Sequence, residues 1–429
     1  MTKSFGLGFA ILLGSLSASA ACLNPDGMTS KKEIESNKKE CLNMAHFTGT
    51  PSTSEQYLSE KFRERLVNPK SKQDEIANGS VMYCRYVHQD QNGTSLKFRC
   101  ARTNESNQLY DTKDQLVSEA AGVVAEGDDF YLVTAKNEKI LQAAKEGKQP
   151  SYRKANVMKV RATDGGERNV ENYTSTAASR ILWALGIASH SNIMTEKVVC
   201  YGCEKNAFKQ EKIALKKDVY AVVEFKDASI EVKYKGDRLY DPTQESWSWE
   251  SVKSIYQHAN EDKKIELEVL GLTTHFLTYT SPSAMQNAIV CTKFSVTNPN
   301  QCDEVVAMTH DVGAALGSRM SRMVGNKNTV PRGDITAFKA SPVFKAGTCD
   351  YAYGNAGDVT LPMKLTKKAQ ANFLERAQAL THENLKTIFK ASHIGNLQNN
   401  DASKTNLVED IWVDAIETRI KEIAQAPCQ

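Results

Sequence analysis

The order of the predicted elements indicates an α+β protein in which a sheet-rich N-terminal part is followed by a mainly helical C-terminal part. Apolar and polar residues alternate in short segments of the first half, as at Val157–Arg161, and this is the period of a strand. From Leu365 onward apolar residues recur at helical spacing, over about 366–380, 383–391 and 405–424. The chain also has ten cysteines, and an even number predicts a fold stapled by disulfides.

Composition and patterning divide the chain into four regions. We assign a signal peptide, an N-terminal helical extension, a sheet-rich region with an insertion at about 102–155, and a mainly helical region, with the bounds 1–20, 21–79, 80–225 and 226–429. The hydrophobic content of 41% and the charged content of 24% are those of a globular protein. A net charge of +3 gives no argument for a nucleic-acid partner.

The N-terminus has the three parts of a secretory signal peptide. Lys3 supplies a positive charge, Phe5–Leu16 is an apolar run too short to span a membrane, and Ala18-Ser19-Ala20 is a small-residue cleavage site. We therefore expect the mature chain to fold in the periplasm or outside the cell, with no transmembrane segment. A lipid anchor on Cys22 is the alternative, although Ser19 stands where lipidated chains usually have a branched aliphatic residue.

The cysteine positions predict a set of disulfides rather than a metal centre. Two pairs flank turn sequences and are expected to face each other across hairpins, Cys84–Cys100 around an Asn-Gly turn and Cys291–Cys302 around Thr-Asn-Pro-Asn. Two further pairs follow by elimination, Cys22–Cys41 and Cys349–Cys428.

The remaining pair, Cys200-Tyr-Gly-Cys203, leaves three interpretations open. A local structural disulfide fits its place at the end of a strand-like apolar run. A redox pair usually opens a helix, where the thiol pKa is lowered, and this context is missing. Half of a metal site would need a second CxxC or a histidine pair. A thiol-disulfide oxidoreductase therefore stays as one alternative function, and it requires exposed, reducible thiols.

A helix is predicted from Thr174 to Leu185, with Thr174 or Ser175 as its N-cap and Gly186 as its terminator. Downstream, a buried strand candidate leads into His310-Asp311-Val312-Gly313. An aspartate directly after a strand and close to a glycine can project into a cleft, and phosphotransferases hold Mg²⁺ in this way. HExxH, GxSxG, Walker A, EF-hand and GxGxxG signatures are absent from the sequence.

About half of the mature chain resembles a family of exported bacterial proteins whose core is similar to a divergent protein kinase of the HipA-like or phosphoinositide-kinase-like kind. The resemblance is carried by five stretches: Leu96–Cys100, Met158–Arg161, Ala177–Ile187, Val199–Cys203, and His275–Cys291 taken together with Asp311–Gly317. It implies a two-lobed kinase-like core with a sheet-rich N-terminal lobe and a helical C-terminal lobe.

The resemblance also implies positions for the catalytic parts. The phosphate-contacting lysine of such a family falls on the strand Lys159-Val160-Arg161, and its glutamate partner on Ser175 or a neighbour. The catalytic aspartate falls on Ser281, the metal-binding asparagine on Gln286 or, with a slip of one residue, Asn287. Asp311 and Gly313 match the final metal-binding Asp-x-Gly.

These departures predict a kinase-like protein that has lost catalysis and acts as a binding or scaffold module in the cell envelope, with an unidentified protein partner. A serine at 281 cannot accept the substrate proton as a carboxylate does. The alternative is an active phosphotransferase or nucleotidyl transferase that uses ATP and Mg²⁺ through Lys159 or Arg161, Asn287 and Asp311. No cofactor is expected for the inactive form.

Overall fold

The computed structural model describes most of the chain between residues 21 and 429. The described ranges are 21–26, 28–51, 81–87, 97–111, 115–120, 122–126, 129–133, 153–162, 169–203, 222–232, 236–240, 247–279, 287–310, 312–317, 322–324, 327–329, 332–352, 364–397 and 408–429. The predicted signal peptide lies outside them.

Strands and helices are numbered in chain order within these ranges. The strands are β1 (Cys22–Leu23), β2 (Val81–Val87), β3 (Lys97–Thr103), β4 (Leu109–Tyr110), β5 (Leu116–Val117), β6 (Gly122–Glu126), β7 (Asp129–Val133), β8 (Val157–Arg161), β9 (Ser191–Met194), β10 (Lys197–Tyr201), β11 (Val222–Lys226), β12 (Ser229–Val232), β13 (Asp237–Arg238), β14 (Ala288–Phe294), β15 (Gln301–Met308), β16 (Arg322–Val324) and β17 (Lys327–Thr329). The helices are α1 (Lys31–Met44), α2 (Val170–Ala184), α3 (Trp249–His258), α4 (Glu261–Phe276), α5 (Ile335–Lys339), α6 (Lys367–Ala377), α7 (His382–Ala391) and α8 (Val408–Gln425).

The main sheet is built from residues between Val81 and Val232. Its strand order is β11-β10-β2-β3-β8-β12-β9, and β4 and β5 continue from β3. The pair β10–β2 is parallel and the other pairs are antiparallel. Strand β8 is therefore flanked on both sides, which buries its backbone in the centre of the sheet.

A second sheet has the order β1-β15-β14-β13, in which the N-terminal strand β1 pairs with a strand of the C-terminal half. A parallel bridge between Ser189 and Thr309 connects the segment before β9 to the end of β15. Beside it, the backbone N–H of Thr309 donates to the carbonyl of Ala188 at 2.9 Å. These contacts hold the residues after Ser189 close to the residues after Thr309, although about 120 positions separate them in the chain.

Two apolar layers cover the two faces of the main sheet. The alternation along β8 places Met158 and Val160 in one layer, while Lys159 and Arg161 point to the opposite face. Helix α2 packs on this opposite face, and its apolar residues join the large core formed with the C-terminal helices. The mixed composition of sheets and helices agrees with the predicted α+β class.

Helix α2 starts one turn earlier than the sequence predicted. Its N-cap is Asn169, whose side chain accepts a hydrogen bond from the N–H of Glu171 at 3.1 Å. Thr174 therefore lies inside the helix, where its hydroxyl donates to the Val170 carbonyl at 3.1 Å. The predicted end is confirmed: Gly186 has φ 80°, and this left-handed backbone favours glycine.

The ten cysteines form five disulfides, and they have the pairings named above: Cys22–Cys41, Cys84–Cys100, Cys200–Cys203, Cys291–Cys302 and Cys349–Cys428. In the first hairpin the cysteines are diagonal rather than directly opposite, because Cys84 faces Arg102 and Cys100 faces Tyr86. Their Cα atoms are still 5.5 Å apart, within the range for a disulfide. Among the described residues, no helix is both long and apolar enough to span a bilayer.

The disulfide Cys349–Cys428 closes the longest loop, with a sequence separation of 79, and it ties the segment after α8 back to the chain before α6. Because the loss of loop entropy in the unfolded chain grows with loop length, replacing this pair with alanine is expected to lower the free energy of unfolding by about 4–5 kcal/mol. The same change at Cys200–Cys203, whose separation is 3, is expected to cost less than about 2 kcal/mol on the same account. Urea unfolding of both variants measures the difference, and equal costs would contradict the prediction.

Candidate functional site

A group of charged side chains lies between β8, β12 and α2. In the antiparallel pair of β8 and β12, Lys159 stands directly opposite Glu231. The Lys159 ammonium contacts the Glu231 carboxylate at 2.6 Å, and their side chains are 10% and 6% exposed. Cross-strand pairing therefore fixes the first ion pair of the site.

Arg161 lies next to this pair and is 2% exposed. Its Nη1 donates to Glu171 of α2 at 3.1 Å and to the Ser175 hydroxyl at 3.2 Å. Its Nη2 is 3.5 Å from the same Glu231 oxygen that contacts Lys159. The guanidinium is thus held between a strand carboxylate and a helix carboxylate, which compensates the cost of burying its charge.

Glu171 of α2 pairs with Arg161, whereas the resemblance implied that the glutamate partner of the strand cation would fall on Ser175 or a neighbour. It was missed because the helix was predicted to begin at Thr174, and Glu171 then lay outside it. In the structure Glu171 is in the first turn, and Ser175, one turn later, contacts the same Arg161 nitrogen. The Asn169 cap was the sequence signal for this position.

Gly313 of the Asp-Val-Gly sequence packs directly against this ion pair. A Cβ atom at Gly313 would lie 2.7 Å from the Ser175 hydroxyl oxygen and 3.2 Å from Nη1 of Arg161. Its carbonyl accepts a hydrogen bond from the Thr174 hydroxyl at 2.6 Å. Glycine is therefore required for this close approach, and the structure brings the predicted Gly313 and Arg161 together.

Two histidines complete the site beside Glu231. The Ser189–Thr309 bridge places His190 and His310 side by side, with ring centroids 4.5 Å apart at an angle of 87°. Nε2 of His310 lies 3.7 Å from the Glu231 carboxylate. Ligand atoms of His190, Glu231 and His310 all fall within 4.8 Å of one another.

The protonation state of Glu231 follows from these neighbours. Burial by itself raises the pKa of the Glu231 carboxyl, but Lys159, His310 and His190 together hold this pKa well below its ordinary value. Glu231 is therefore ionised at neutral pH. On the other side of Arg161, Arg332 pairs with the second oxygen of Glu171. The five charged side chains comprise three cations and two carboxylates.

Asn287 lies next to His310 of the charged site, but its side chain is hydrogen-bonded to backbone groups of the protein. It is 1% exposed, and its side-chain oxygen accepts from the backbone N–H of His310 at 3.3 Å. Its amide nitrogen donates to the Trp247 carbonyl at 3.4 Å. Asn287 thus holds the chain directly before Asp311, and a metal would have to compete with His310 for its oxygen. Asp311, Ser281 and Gln286 lie outside the described residues.

Arg161 lies against Gly313 and shares the Glu231 carboxylate with Lys159, so these three residues belong to one group of side chains and backbone. The planar guanidinium of arginine and the ammonium of lysine are the groups that proteins most often use to bind phosphate oxygens. Glu231, His190 and Arg332 were not predicted from sequence. Glu231 is 72 residues from Lys159, and only the pairing of β12 with β8 brings them together.

Comparisons with known proteins give a likeness in structure and no match in sequence. No protein-family model matches the sequence, and a search of curated proteins finds no match. A solved structure of a Helicobacter pylori proinflammatory kinase, CtkA, aligns with 81% of this chain and 95% of its own at 8% sequence identity. The TM-score of that alignment is 0.39, which does not establish a common fold or function.

Glu231→Gln tests the stabilising role of the buried carboxylate. Because the change leaves Lys159 and Arg161 buried without their shared anion, we expect the free energy of unfolding to fall by about 3–5 kcal/mol. Glu224→Gln is the matched control, since Glu224 pairs with Lys197 at the surface with its side chain 51% exposed, and it should cost at most about 1 kcal/mol. Chemical denaturation at neutral pH measures both. Equal effects would contradict the assigned role.

The lowered pKa of Glu231 also predicts a pH dependence. A carboxyl whose pKa is depressed by folding contributes stability above its unfolded pKa, about 4.3, and loses it as the pH falls toward the folded value. The difference in unfolding free energy between wild type and Glu231→Gln should therefore be constant above about pH 5 and shrink below about pH 4. A difference that stays constant down to pH 3 would show that Glu231 is not the titrating group.

Proposed function

We propose that this chain is an exported, kinase-like module that binds the phosphates of a nucleotide and does not transfer them. The observation that carries the proposal is the position of Arg161, which is held by Glu171 and Glu231 and lies against Gly313. Protein kinases use a strand cation paired with a helix glutamate to position the phosphates of ATP. The same arrangement here supports a phosphate-binding role.

In this proposal the ion pairs with Glu171 and Glu231 hold the Arg161 side chain in one conformation before a phosphate binds. A guanidinium fixed at two nitrogens has little rotamer freedom left to lose, so binding a phosphate costs less entropy than with a mobile side chain. Lys159 and Arg332 extend the positive charge on either side of Arg161. Phosphate oxygens can thus replace part of the carboxylate contacts without leaving a buried cation unpaired.

The sequence of residues 280–287 argues against phosphoryl transfer. Residues 280–287 read Thr-Ser-Pro-Ser-Ala-Met-Gln-Asn and contain no carboxylate to accept the substrate proton. Asp311 remains as the metal-binding carboxylate implied by the sequence resemblance, and Mg²⁺ bound there would neutralise phosphate charge. The fit of Asn287 is poorer, because its oxygen already accepts from His310.

An active phosphotransferase is the second candidate, and Glu171 favours it. The expected absence of a helix glutamate was one of the reasons for predicting lost catalysis, and the ion pair between Glu171 and Arg161 weakens that reason. The thiol-disulfide oxidoreductase is not favoured, because Cys200 and Cys203 are both 0% exposed, whereas that function requires accessible thiols. The five disulfides support the proposal that the chain functions outside the cytoplasm.

Nucleotide-dependent thermal stabilisation tests the binding proposal. ATP with Mg²⁺ at about 100 times its dissociation constant should add about 2.7 kcal/mol to the unfolding free energy, seen as a rise of a few degrees in Tm. Asp311→Ala should remove the metal-dependent part of this shift. Asp303→Ala, an exposed aspartate on β15, is the matched control and should keep it.

Radiolabelled phosphate transfer separates the two candidates. We expect no transfer from ATP to the chain or to added protein acceptors above the level of Asp311→Ala. Transfer that disappears in Asp311→Ala would establish the phosphotransferase instead. The absence of any nucleotide-dependent shift would overturn both.

A further inference from the structure

A row of polar side chains crosses three strands of the main sheet at the charged site. Glu231 of β12 stands directly opposite Lys159 of β8 on one side and directly opposite Asn192 of β9 on the other. Residues directly opposite each other in antiparallel strands have their side chains on the same face, so Asn192 lies on the face that carries Glu231. His190 and His310 adjoin the same carboxylate. Two imidazoles, one carboxylate and one amide are therefore gathered in one place.

The two oxygens of Glu231 have different neighbours. Oε2 accepts from the Lys159 ammonium at 2.6 Å and from Nη2 of Arg161 at 3.5 Å. Oε1 lies 3.7 Å from Nε2 of His310. Carboxylates that ligate metals are commonly hydrogen-bonded through their other oxygen, because the outer contact fixes their orientation. The cations thus hold Glu231 with Oε1 directed toward the histidines.

Asn192 gives a second, independent indication of a ligand at this place. The residue is 3% exposed, and its Oδ1 finds no hydrogen-bond partner among the residues that the structure describes. A buried polar oxygen without a partner is unfavourable and uncommon in folded proteins. A cation bound between Asn192, Glu231 and the two histidines would supply the missing partner.

We propose that His190, Asn192, Glu231 and His310 bind one Zn²⁺ ion. Two imidazole nitrogens, a carboxylate oxygen and an amide oxygen make up the four ligands of a tetrahedral site. Imidazole favours Zn²⁺ over Mg²⁺, which prefers an octahedron of oxygen atoms.

The distances between the ligand atoms fit such a site. With bonds of about 2.0–2.1 Å to the metal, neighbouring ligand atoms of a tetrahedral centre are about 3.4 Å apart. The separation of 3.7 Å between His310 and Glu231 is close to this value. Ligand atoms of His190, Glu231 and His310 all lie within 4.8 Å of one another. Small side-chain rotations are therefore enough to close the site around the ion.

The cations beside Glu231 oppose a metal ion only in part. Lys159 and Arg161 contact Oε2, on the far side of the carboxylate from the histidines, and Arg161 also pairs with Glu171. These two cations and two carboxylates sum to no net charge. Arg332, the other partner of Glu171, is 36% exposed, and solvent and salt screen its charge.

The proposed ion would connect the two sheets. Asn192 and Glu231 belong to β9 and β12 of the main sheet, whereas His310 follows β15 of the second sheet. The ion would lie beside the bridge between Ser189 and Thr309, which joins the same two regions. Zinc binding at this place requires no nucleotide, so it stands or fails separately from the nucleotide-binding proposal.

Metal titration of the oxidised, untagged mature chain without nucleotide tests the proposal. The chain is freed of metal with a chelator, titrated with Co²⁺, and then titrated with Zn²⁺ as competitor. We expect one ion per chain, with the visible absorption of four-coordinate Co²⁺ and no thiolate charge-transfer band, because no free cysteine occurs among the described residues. Zn²⁺ should displace Co²⁺ and raise Tm, since it binds the folded chain.

Three ligand variants and one control make the test specific. His190→Gln, His310→Gln and Asn192→Ala should each weaken binding by more than about 10-fold, because even the loss of an outer-shell partner costs roughly 10- to 100-fold. His258→Gln, at an exposed histidine in the last turn of α3, is the matched control and should leave binding unchanged. Circular dichroism verifies that each variant is folded.

The wild-type titration decides the proposal even where a variant does not fold. A folded wild-type chain that binds no Co²⁺ or Zn²⁺ overturns it, and so does a thiolate band in the Co²⁺ spectrum. Folded histidine variants that bind as tightly as the wild type would show adventitious binding elsewhere and would also overturn it. Unchanged affinity in Asn192→Ala would overturn the assignment of Asn192 as the fourth ligand.

Discussion

The burial of Arg161 is the constraint on which the rest of the structure depends. A guanidinium that is 2% exposed is stable only where anions and hydrogen-bond acceptors surround it. Glu231 comes from β12, Glu171 and Ser175 from α2, and the chain at Gly313 closes over them. Three segments besides β8 must therefore be in place around this one charge.

This arrangement links the sheet to the helical part of the protein. Helix α2 packs its charged first turn on β8 and β12 and its apolar side against the C-terminal helices. The hydrogen bond from Thr174 to the Gly313 carbonyl fixes the segment after β15 to the same helix. A change in the contacts of Arg161 would therefore act on the sheet and on the helical part at once.

The disulfides stabilise this frame from the outside and from within. Cys22–Cys41 and Cys291–Cys302 hold the second sheet and α1 together, whereas Cys349–Cys428 secures the C-terminus. Cys84–Cys100 and Cys200–Cys203 differ in that they lie within the main sheet, in the apolar layer on one face of the strand that carries Lys159 and Arg161. The sulfur atoms of Cys100 and Cys200 are 3.8 Å apart. Strand β8 therefore separates these disulfides from the charged group, because Met158 and Val160 pack with the cysteines while Lys159 and Arg161 lie on the opposite face.

Local patterns in the sequence determined the strand β8, the hairpins, the C-terminal helices and the end of α2 at Gly186, because period, turn residues and caps act within a few residues. The sequence also pointed to Lys159, Arg161 and Gly313 through their resemblance to a kinase-like core. It misplaced the start of α2 by one turn, because Thr174 and Asn169 are both acceptable caps and only the packed structure selects Asn169. That single turn decides whether Glu171 belongs to the site.

Glu231, His190 and the contact between two disulfides were decided by tertiary structure alone. Glu231 depends on the pairing of β8 with β12, the contact between the disulfides on the pairing of β2 with β10, and His190 on the bridge between Ser189 and Thr309. No local signal specifies pairing across such large separations. The physical reason is that a buried charged group or sulfur atom contacts whatever lies close to it in space, whatever the separation along the chain. The amino-acid sequence determines which side chains are present, and the tertiary structure determines which of them come into contact.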